Sequence, residues 1–488
     1  MFRGVLVTAA VLLASCGQPA EEPRTGVTES EHAYGEEQHP RLLAEFGGAY
    51  GDHQAAYVQR VGDRVAASAD LDGACTFTLV NSDVVNAFAV PGCYIYITRG
   101  LVAIVNSEAE LASVLGHEIG HIVGQHSQRQ ERRSLWRSLG VVAAGLTGSE
   151  RLTRLAGQAA QYFTQRYSRS QEYEADELGV RYLQGAGYDV FATAEMLGAL
   201  GRNEAFTART RGQGDARSIP EWALSHPLTQ HRVDHATDIA LKTGVANDAL
   251  PENEAAYLRE VDGLLYGDDP DQGFVIGQQF AHPMMRIGFE APPGFSLTNS
   301  PQAIRLSGPN GIRGEFGGGR LPPNGIAVYA EALAAHVTAN APATLVSARR
   351  RTVNGLPAAM VTVAIQSPNG SVPLSIAAYD GGDGAAYHFV AIAPAGPDNQ
   401  AALDRLFDSF HRLSDDQVAR LRPRVIRSVP VHAGDTISDL ASRTDDPAPQ
   451  ELFMMLNGLV PDQKLPPTGT VKIVTYRPVA QPAPRRSM

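Results

Sequence analysis

The sequence predicts an α+β protein made of more than one unit, on three observations. The chain has 488 residues, longer than one hydrophobic core usually grows. Helical apolar spacing dominates its first half, and after Asp268-Asp269-Pro270 short strands punctuated by Pro and Gly take over. A compact strand, helix, helix, strand pattern follows near residues 424–476.

The amino terminus reads as an address. Arg3 and the apolar run from Val5 to Leu13 are too short to span a bilayer, and Leu13-Ala14-Ser15-Cys16 matches a bacterial lipobox. Residues 1–16 are therefore expected to be a lipoprotein signal peptide, with Cys16 lipidated. Gly17 is not aspartate, which permits sorting to the outer membrane, so the expected place is the periplasm, held to a membrane by acyl chains. Residues 17–40 are rich in Glu, Pro, Gly and Ser and predict a flexible tether. A net charge of -11 argues against nucleic acid as a partner and offers no basic face to anionic lipid. With Cys16 used by lipid, Cys75 and Cys93 remain as an even pair around a strand meander, and a disulfide is expected between them.

Residues 41–268 carry the chemistry. Ser107 three residues before Glu110 reads as a capping box, and Leu111, Val114, Leu115, Ile122 and Val123 form an apolar stripe at helical spacing. On that helix His117 and His121 share a face one turn apart, as zinc ligation requires, and Glu118 beside them suits a general base. Gly116, Gly120 and Gly124 read as room for close backbone packing. Five residues alone also fit two core histidines beside a surface glutamate. A third histidine at the long metzincin spacing is missing, because His126 falls at the wrong position. The best candidate for the third ligand lies in Ser168-Arg169-Ser170-Gln171-Glu172-Tyr173-Glu174-Ala175-Asp176, which begins a second helix. Glu172 and Asp176 are one turn apart there, so Glu172 can bind one zinc ion per chain while Asp176 hydrogen-bonds a ligand histidine. Glu174 then faces away. Between the two motifs the apolar run from Leu139 to Leu146 is too short to cross a bilayer.

Together these segments resemble the gluzincin metallopeptidases that include the CAAX prenyl proteases, the heat-shock protease HtpX and soluble periplasmic quality-control peptidases. Asn86-Ala87-Phe88-Ala89-Val90-Pro91-Gly92 and Tyr94-Ile95-Tyr96-Ile97-Thr98-Arg99-Gly100 add to the likeness, with Cys93 replacing the usual second glycine. Ser225-His226-Pro227 and Arg232 resemble that family's histidine-proline segment and trailing arginine. The resemblance implies a mainly helical zincin peptidase domain with a small sheet. It implies His117, His121 and Glu172 as zinc ligands, Glu118 as base and His226 as oxyanion donor. Arg232 is expected to anchor the histidine-proline loop by a salt bridge, and the strand through Asn86, Ala87 and Phe88 to pair with extended substrate.

Residues 269–415 read as an α+β accessory domain with no catalytic constellation. Strands are expected at Met285–Phe289, Ala303–Leu306, Ala358–Ile365, Leu374–Tyr379 and Tyr387–Ala393, and helices at Val328–Val337 and Gln400–Phe410. Residues 424–476 resemble a LysM module, a small fold associated with N-acetylglucosamine glycans and so with peptidoglycan, although Arg443 to Pro449 departs from its pattern. A disordered tail is expected at 477–488. The whole reads as a zinc metalloendopeptidase that cleaves unfolded or misassembled envelope proteins. A chaperone-like assembly factor with little proteolysis and a peptidoglycan-associated cell-wall hydrolase are the alternatives. An intact Glu118 argues against the first, and motifs of a protein-cleaving family against the second.

Overall fold

The computed structural model describes residues 26–129, 167–210, 226, 230–339, 342–367, 370–382, 384–460, 463, 465 and 469–477, and elements are numbered over these. The lipobox with Cys16, and the run from Leu139 to Leu146, lie outside them.

The expected tether is helical in its described part, as α1 (Glu29–Glu45). Composition misled here because two local devices outweigh it. Thr28 and Glu31 form a reciprocal capping box at the helix start. The far end then buries Leu42 in a cluster with Phe46, Phe88, Val90, Tyr94 and Tyr96. Gly92 lets α1 rest on the turn below it, since a Cβ there would lie 2.4 Å from the Glu31 carbonyl oxygen.

Next come α2 (Asp52–Ala67), β1 (Thr76–Val80), β2 (Ala87–Val90) and β3 (Tyr94–Thr98), whose sheet order is β1-β3-β2. Strand β1 runs parallel to β3, and β2 antiparallel. A disulfide joins Cys75 to Cys93, ahead of β1 and β3. Cys93 has φ 59°, the left-handed region that favours glycine. The helices α3 (Arg99–Ile104), α4 (Glu108–Val123), α5 (Arg169–Ala186), α6 (Ala192–Thr210), α7 (Gln230–Lys242) and α8 (Glu254–Glu260) follow. Leu111, Val114 and Leu115 of α4 pack with Val58 and Val65 of α2, Leu183 of α5 and Leu197 of α6 in the largest core. Among the described residues no helix is long and apolar enough to cross a membrane.

After β4 (Leu265–Tyr266) the strands β5 (Phe274–Ile276), β6 (Gln279–His282), β7 (Ile287–Glu290), β8 (Ser296–Asn299), β9 (Ile304–Ser307) and β10 (Arg313–Arg320) lead into α9 (Ile326–Val337). Strands β11 (Ala343–Val353), β12 (Leu356–Ser367), β13 (Gly370–Gly382) and β14 (Ala385–Ile392), helix α10 (Pro397–Asp408), strand β15 (His411–Arg412) and helix α11 (Asp415–Arg420) complete this region. Seven strands form one sheet in the order β11-β12-β13-β14-β10-β9-β8. Ala330 and Ala334 of α9 cover one face through Val361, Val363 and Ile376. Leu403, Leu406 and Phe407 of α10 cover the other with Phe289, Phe316 and Phe389. Strands β10 and β11 are not among the expected strands, because neither alternates. The first reads Arg-Gly-Glu-Phe-Gly-Gly-Gly-Arg, and the second is an edge strand exposed along almost all its length.

The chain then forms β16 (Arg424–Val431), α12 (Ile437–Ala441), α13 (Pro449–Leu456) and β17 (Gly469–Tyr476), with β16 antiparallel to β17 and also to β4. Val431, Leu440, Phe453, Val471 and Ile473 make a small cluster of their own. Ile426, Leu452, Met455, Leu456 and Val474 instead join the core built by α2, α4, α5 and α6. Lys472 on β17 is fully buried, and its Nζ donates to the Ala103 and Val105 carbonyls at 2.8 and 2.7 Å, in the segment that enters α4.

Candidate metal centre

Two glycine contacts set the distance between α4 and α5. A Cβ at Gly116 would lie 3.5 Å from Gly179 Cα, and one at Gly120 only 2.9 Å from the Ala175 carbonyl oxygen. The helices therefore approach backbone to backbone, which turns the histidines of α4 toward the carboxylates of α5. Each helix has a defined start. The Ser107 hydroxyl accepts the Glu110 N–H at 3.0 Å, but the Glu110 carboxylate accepts from the Asn106 N–H, so the expected reciprocal box is only half made. Ser168 and Gln171 make a full box at the start of α5.

His117, His121, Glu172 and His226 are buried together, with one ligand atom of each within 4.8 Å of all the others. His121 Nε2 lies 3.0 Å from His117 Nε2 and 3.6 Å from Glu172 Oε1. His226 Nδ1 is 3.3 Å from His117 Nε2 and 3.1 Å from Glu172 Oε1, and its Nε2 is 3.7 Å from Glu118 Oε1. Asp176 Oδ1 is 2.9 Å from His117 Nδ1, on the side of the ring turned away from that group. Arg232 grips Asp176 through Nε and NH2 at 2.9 and 2.7 Å, and its third nitrogen is 2.7 Å from Glu172 Oε2. Histidine, arginine and carboxylates are thus interleaved, which keeps this much buried charge near balance.

Their electrostatics differ. Burial raises the Glu118 pKa against the pull of His226 and His117. Burial also pushes Asp176 upward, but Arg232 and His117 outweigh it and hold that carboxyl well below the ordinary range. Burial of Glu172 is likewise outweighed by His226 and Arg232, and its pKa falls. Burial, helped by His117 and His226, pushes the His121 pKa well down. Both carboxylate oxygens of Glu118 are buried without a hydrogen-bond partner among the described residues. Nitrogen donors at such short mutual distances, next to an unpartnered carboxylate, fit a metal ion and a bound polar molecule.

The structure thus brings together His117, Glu118, His121, Glu172, Asp176, His226 and Arg232. Ser225 and Pro227 lie outside the described residues. Strand β2 is the edge of its sheet. Ala87 packs into the core beneath α4, while Phe88 points to the opposite face and stacks on Tyr96 with ring centres 4.8 Å apart. The Asn86 backbone pairs with Thr98, and its side-chain amide is buried with no partner among the described residues.

Three side chains escaped the sequence reading. Tyr167 stacks on the His121 ring, centres 3.9 Å apart, and shares a hydrogen bond with Ser127. His126, set aside as wrongly spaced, has its Nδ1 2.7 Å from His121 Nδ1. Glu174 was expected to face away, yet its Oε2 is 3.2 Å from His126 Nε2 and 2.9 Å from an Arg129 nitrogen. Helical spacing on α5 alone gave no sign of this, because His126 arrives from a turn beyond the end of α4. The only available signal was a second histidine five residues after a candidate ligand.

Residues 52–240 match the model of peptidase family M48. The matched stretch holds the whole donor group and none of the seven-stranded sheet. The chain is 31 % identical over 198 residues to the beta-barrel assembly-enhancing protease of Yersinia pestis, and 30 % over 202 residues to that of Escherichia coli K12, each alignment covering 38 % of either chain. It is 36 % identical over 171 residues to the mitochondrial metalloendopeptidase OMA1 of Arabidopsis thaliana, covering 34 % of this chain and 32 % of that one. The chain therefore spans well under half the length of the curated relatives it matches.

Proposed function

We propose that this chain is a zinc-dependent metalloendopeptidase of the bacterial cell envelope that cleaves unfolded or misassembled envelope proteins. The observation that carries the proposal is the buried Glu118 carboxylate, with no hydrogen-bond partner among the described residues, beside four convergent donor atoms. The names of the relatives, beta-barrel assembly-enhancing protease and metalloendopeptidase, support the reaction, and the first supports a link to β-barrel assembly. A lipobox ending at Cys16 supports attachment to the outer membrane, and the strand, helix, helix, strand order of β16 to β17 supports a LysM-like unit near peptidoglycan.

His117, His121 and Glu172 are the residues to hold the ion, which when bound supplies Lewis acidity toward water and a peptide carbonyl. Glu118 takes the proton from the attacking water at a carboxylate oxygen and returns it to the leaving amine, and its raised pKa matches that double duty. Asp176 holds the proton on His117 Nδ1, which leaves Nε2 free to ligate, and Arg232 fixes Asp176 and Glu172 together. His226 stands inside the donor group, where it suits an oxyanion donor and equally a fourth ligand. The edge of β2 is the place for an extended substrate to pair, with the unpartnered Asn86 amide beside it.

Glu118→Gln tests this directly. With zinc present, the wild-type chain is expected to cut an unfolded outer-membrane β-barrel protein and spare its folded form. The variant should keep its zinc and lose about 10²- to 10⁴-fold in turnover, the usual worth of a general base. Equal turnover by wild type and variant would overturn the assignment.

A further inference from the structure

The two ligand histidines are held in different ways. His117 meets a carboxylate, whereas His121 meets another imidazole. Its Nδ1 is 2.7 Å from His126 Nδ1, so one proton is shared between those nitrogens. If Nε2 of His121 is to be the bare, ligating nitrogen, the shared proton belongs to His121 Nδ1 and His126 must accept it. His126 then carries its own proton on Nε2, the atom that faces Glu174 Oε2 at 3.2 Å, and Arg129 holds that carboxylate from beyond at 2.9 Å. With His126 neutral, this arrangement of protons satisfies all three contacts and presents His121 as a ligand.

The backbone is shaped for this contact. Gln125 sits at φ 51°, a conformation that non-glycine residues adopt rarely, and the turn brings His126 back beneath α4. Gly124 leaves the space for the ring, since a Cβ there would fall 2.5 Å from His126 Nε2. The His126 ring is fully buried, and its carbonyl accepts from the Gln171 side chain at 3.0 Å, at the start of the helix that carries Glu172.

We propose that His126, backed by Glu174 and Arg129, is a positioning residue that fixes the tautomer and orientation of His121 for metal binding. This rests on the zinc reading of the site. It gives one function to the strained turn, the buried histidine and the acidic side chain that the helix pattern had turned outward.

Competition of the purified chain against a chromogenic zinc chelator tests the proposal, with thermal unfolding of the metal-free protein measured alongside. His126→Ala should weaken zinc binding about 10- to 100-fold, the usual loss when a ligand's outer partner is removed. His126→Gln should restore most of the affinity, because its amide oxygen can accept from His121 and its NH₂ can donate to Glu174. A merely structural histidine would instead lower the melting temperature of the metal-free protein equally in both variants and leave zinc affinity unchanged. Glu174→Ala, at a half-exposed position that tolerates truncation, should weaken zinc binding several-fold even if His126→Ala fails to fold. Wild-type affinity in His126→Ala and Glu174→Ala overturns this inference alone. A wild-type chain that takes up no zinc overturns the metal reading and this inference with it.

Discussion

The two ends of α4 both bury charge, and they use it oppositely. Near the carboxyl end, His117, Glu118 and His121 face Glu172 and His226 with nitrogen opposite nitrogen and a carboxylate that has no hydrogen-bond partner among the described residues. At the amino end, Glu110 accepts from Asn106, and Lys472 donates to two carbonyls of the segment entering the helix. Burial pushes Glu110 up to about 7 and Lys472 down to about 7, yet each is satisfied by atoms of the protein itself. A buried polar group left open asks for something from outside, whereas one that is closed joins parts of the chain. On the proposed reading, the first end is built for an ion and a substrate. The second is a joint between the strand β17 and the helix that carries the motif.

The largest effect should come from the open end. Removing a ligand by His117→Ala or Glu172→Ala leaves too few groups for stable binding, so elemental analysis should find no zinc in either variant. Zinc retained in Glu172→Ala would move the third ligand elsewhere, with His226 the nearest replacement. At the closed end, Lys472→Met should leave zinc content per folded chain unchanged and reduce stability by about 3 kcal/mol, because two buried carbonyls lose their donor and Glu110 a nearby positive charge. Denaturant midpoints read this directly, and an unchanged midpoint would mean that the joint carries no load.

The smallest expected effect lies outside both ends and serves as their control. His388 on β14 is partly buried beside Tyr329, and that burial pushes its pKa down to about 4. The folded state therefore resists protonation that the unfolded chain accepts near 6.5, so stability falls as pH drops through that window. From pH 7.5 to 5 the loss should be about 2 kcal/mol, by the linkage between pKa and folding. His388→Gln keeps an acceptor for the Tyr329 hydroxyl and should remove that slope without changing zinc binding. An identical slope in the variant would assign it to other groups.

How much of this was legible depends on the distance over which each device acts. His117, Glu118 and His121 could be placed because four residues on one helix fix their geometry, and Glu172 with Asp176 because a single turn of α5 does the same. Their meeting depends on Gly116 and Gly120, which could be read as space without saying for what. His126 needed the left-handed Gln125, a conformation that no residue type announces. Helix α1 was hidden by an acidic, proline-containing composition, although its capping box was in plain view at Thr28 and Glu31. Strand β11 could not be read because an exposed edge has no buried face to impose alternation. Lys472 was the least legible. Nothing near it in the chain hints that its amine reaches carbonyls 369 and 367 residues away.

That separation also orders events in time. A chain made from its amino terminus completes α4 and α5, with every candidate ligand, long before β17 exists. Until β17 arrives, the carbonyls at Ala103 and Val105 lack the amine that holds them. The entrance of the motif helix therefore takes its final form only after a strand made 367 to 369 residues later has folded against it.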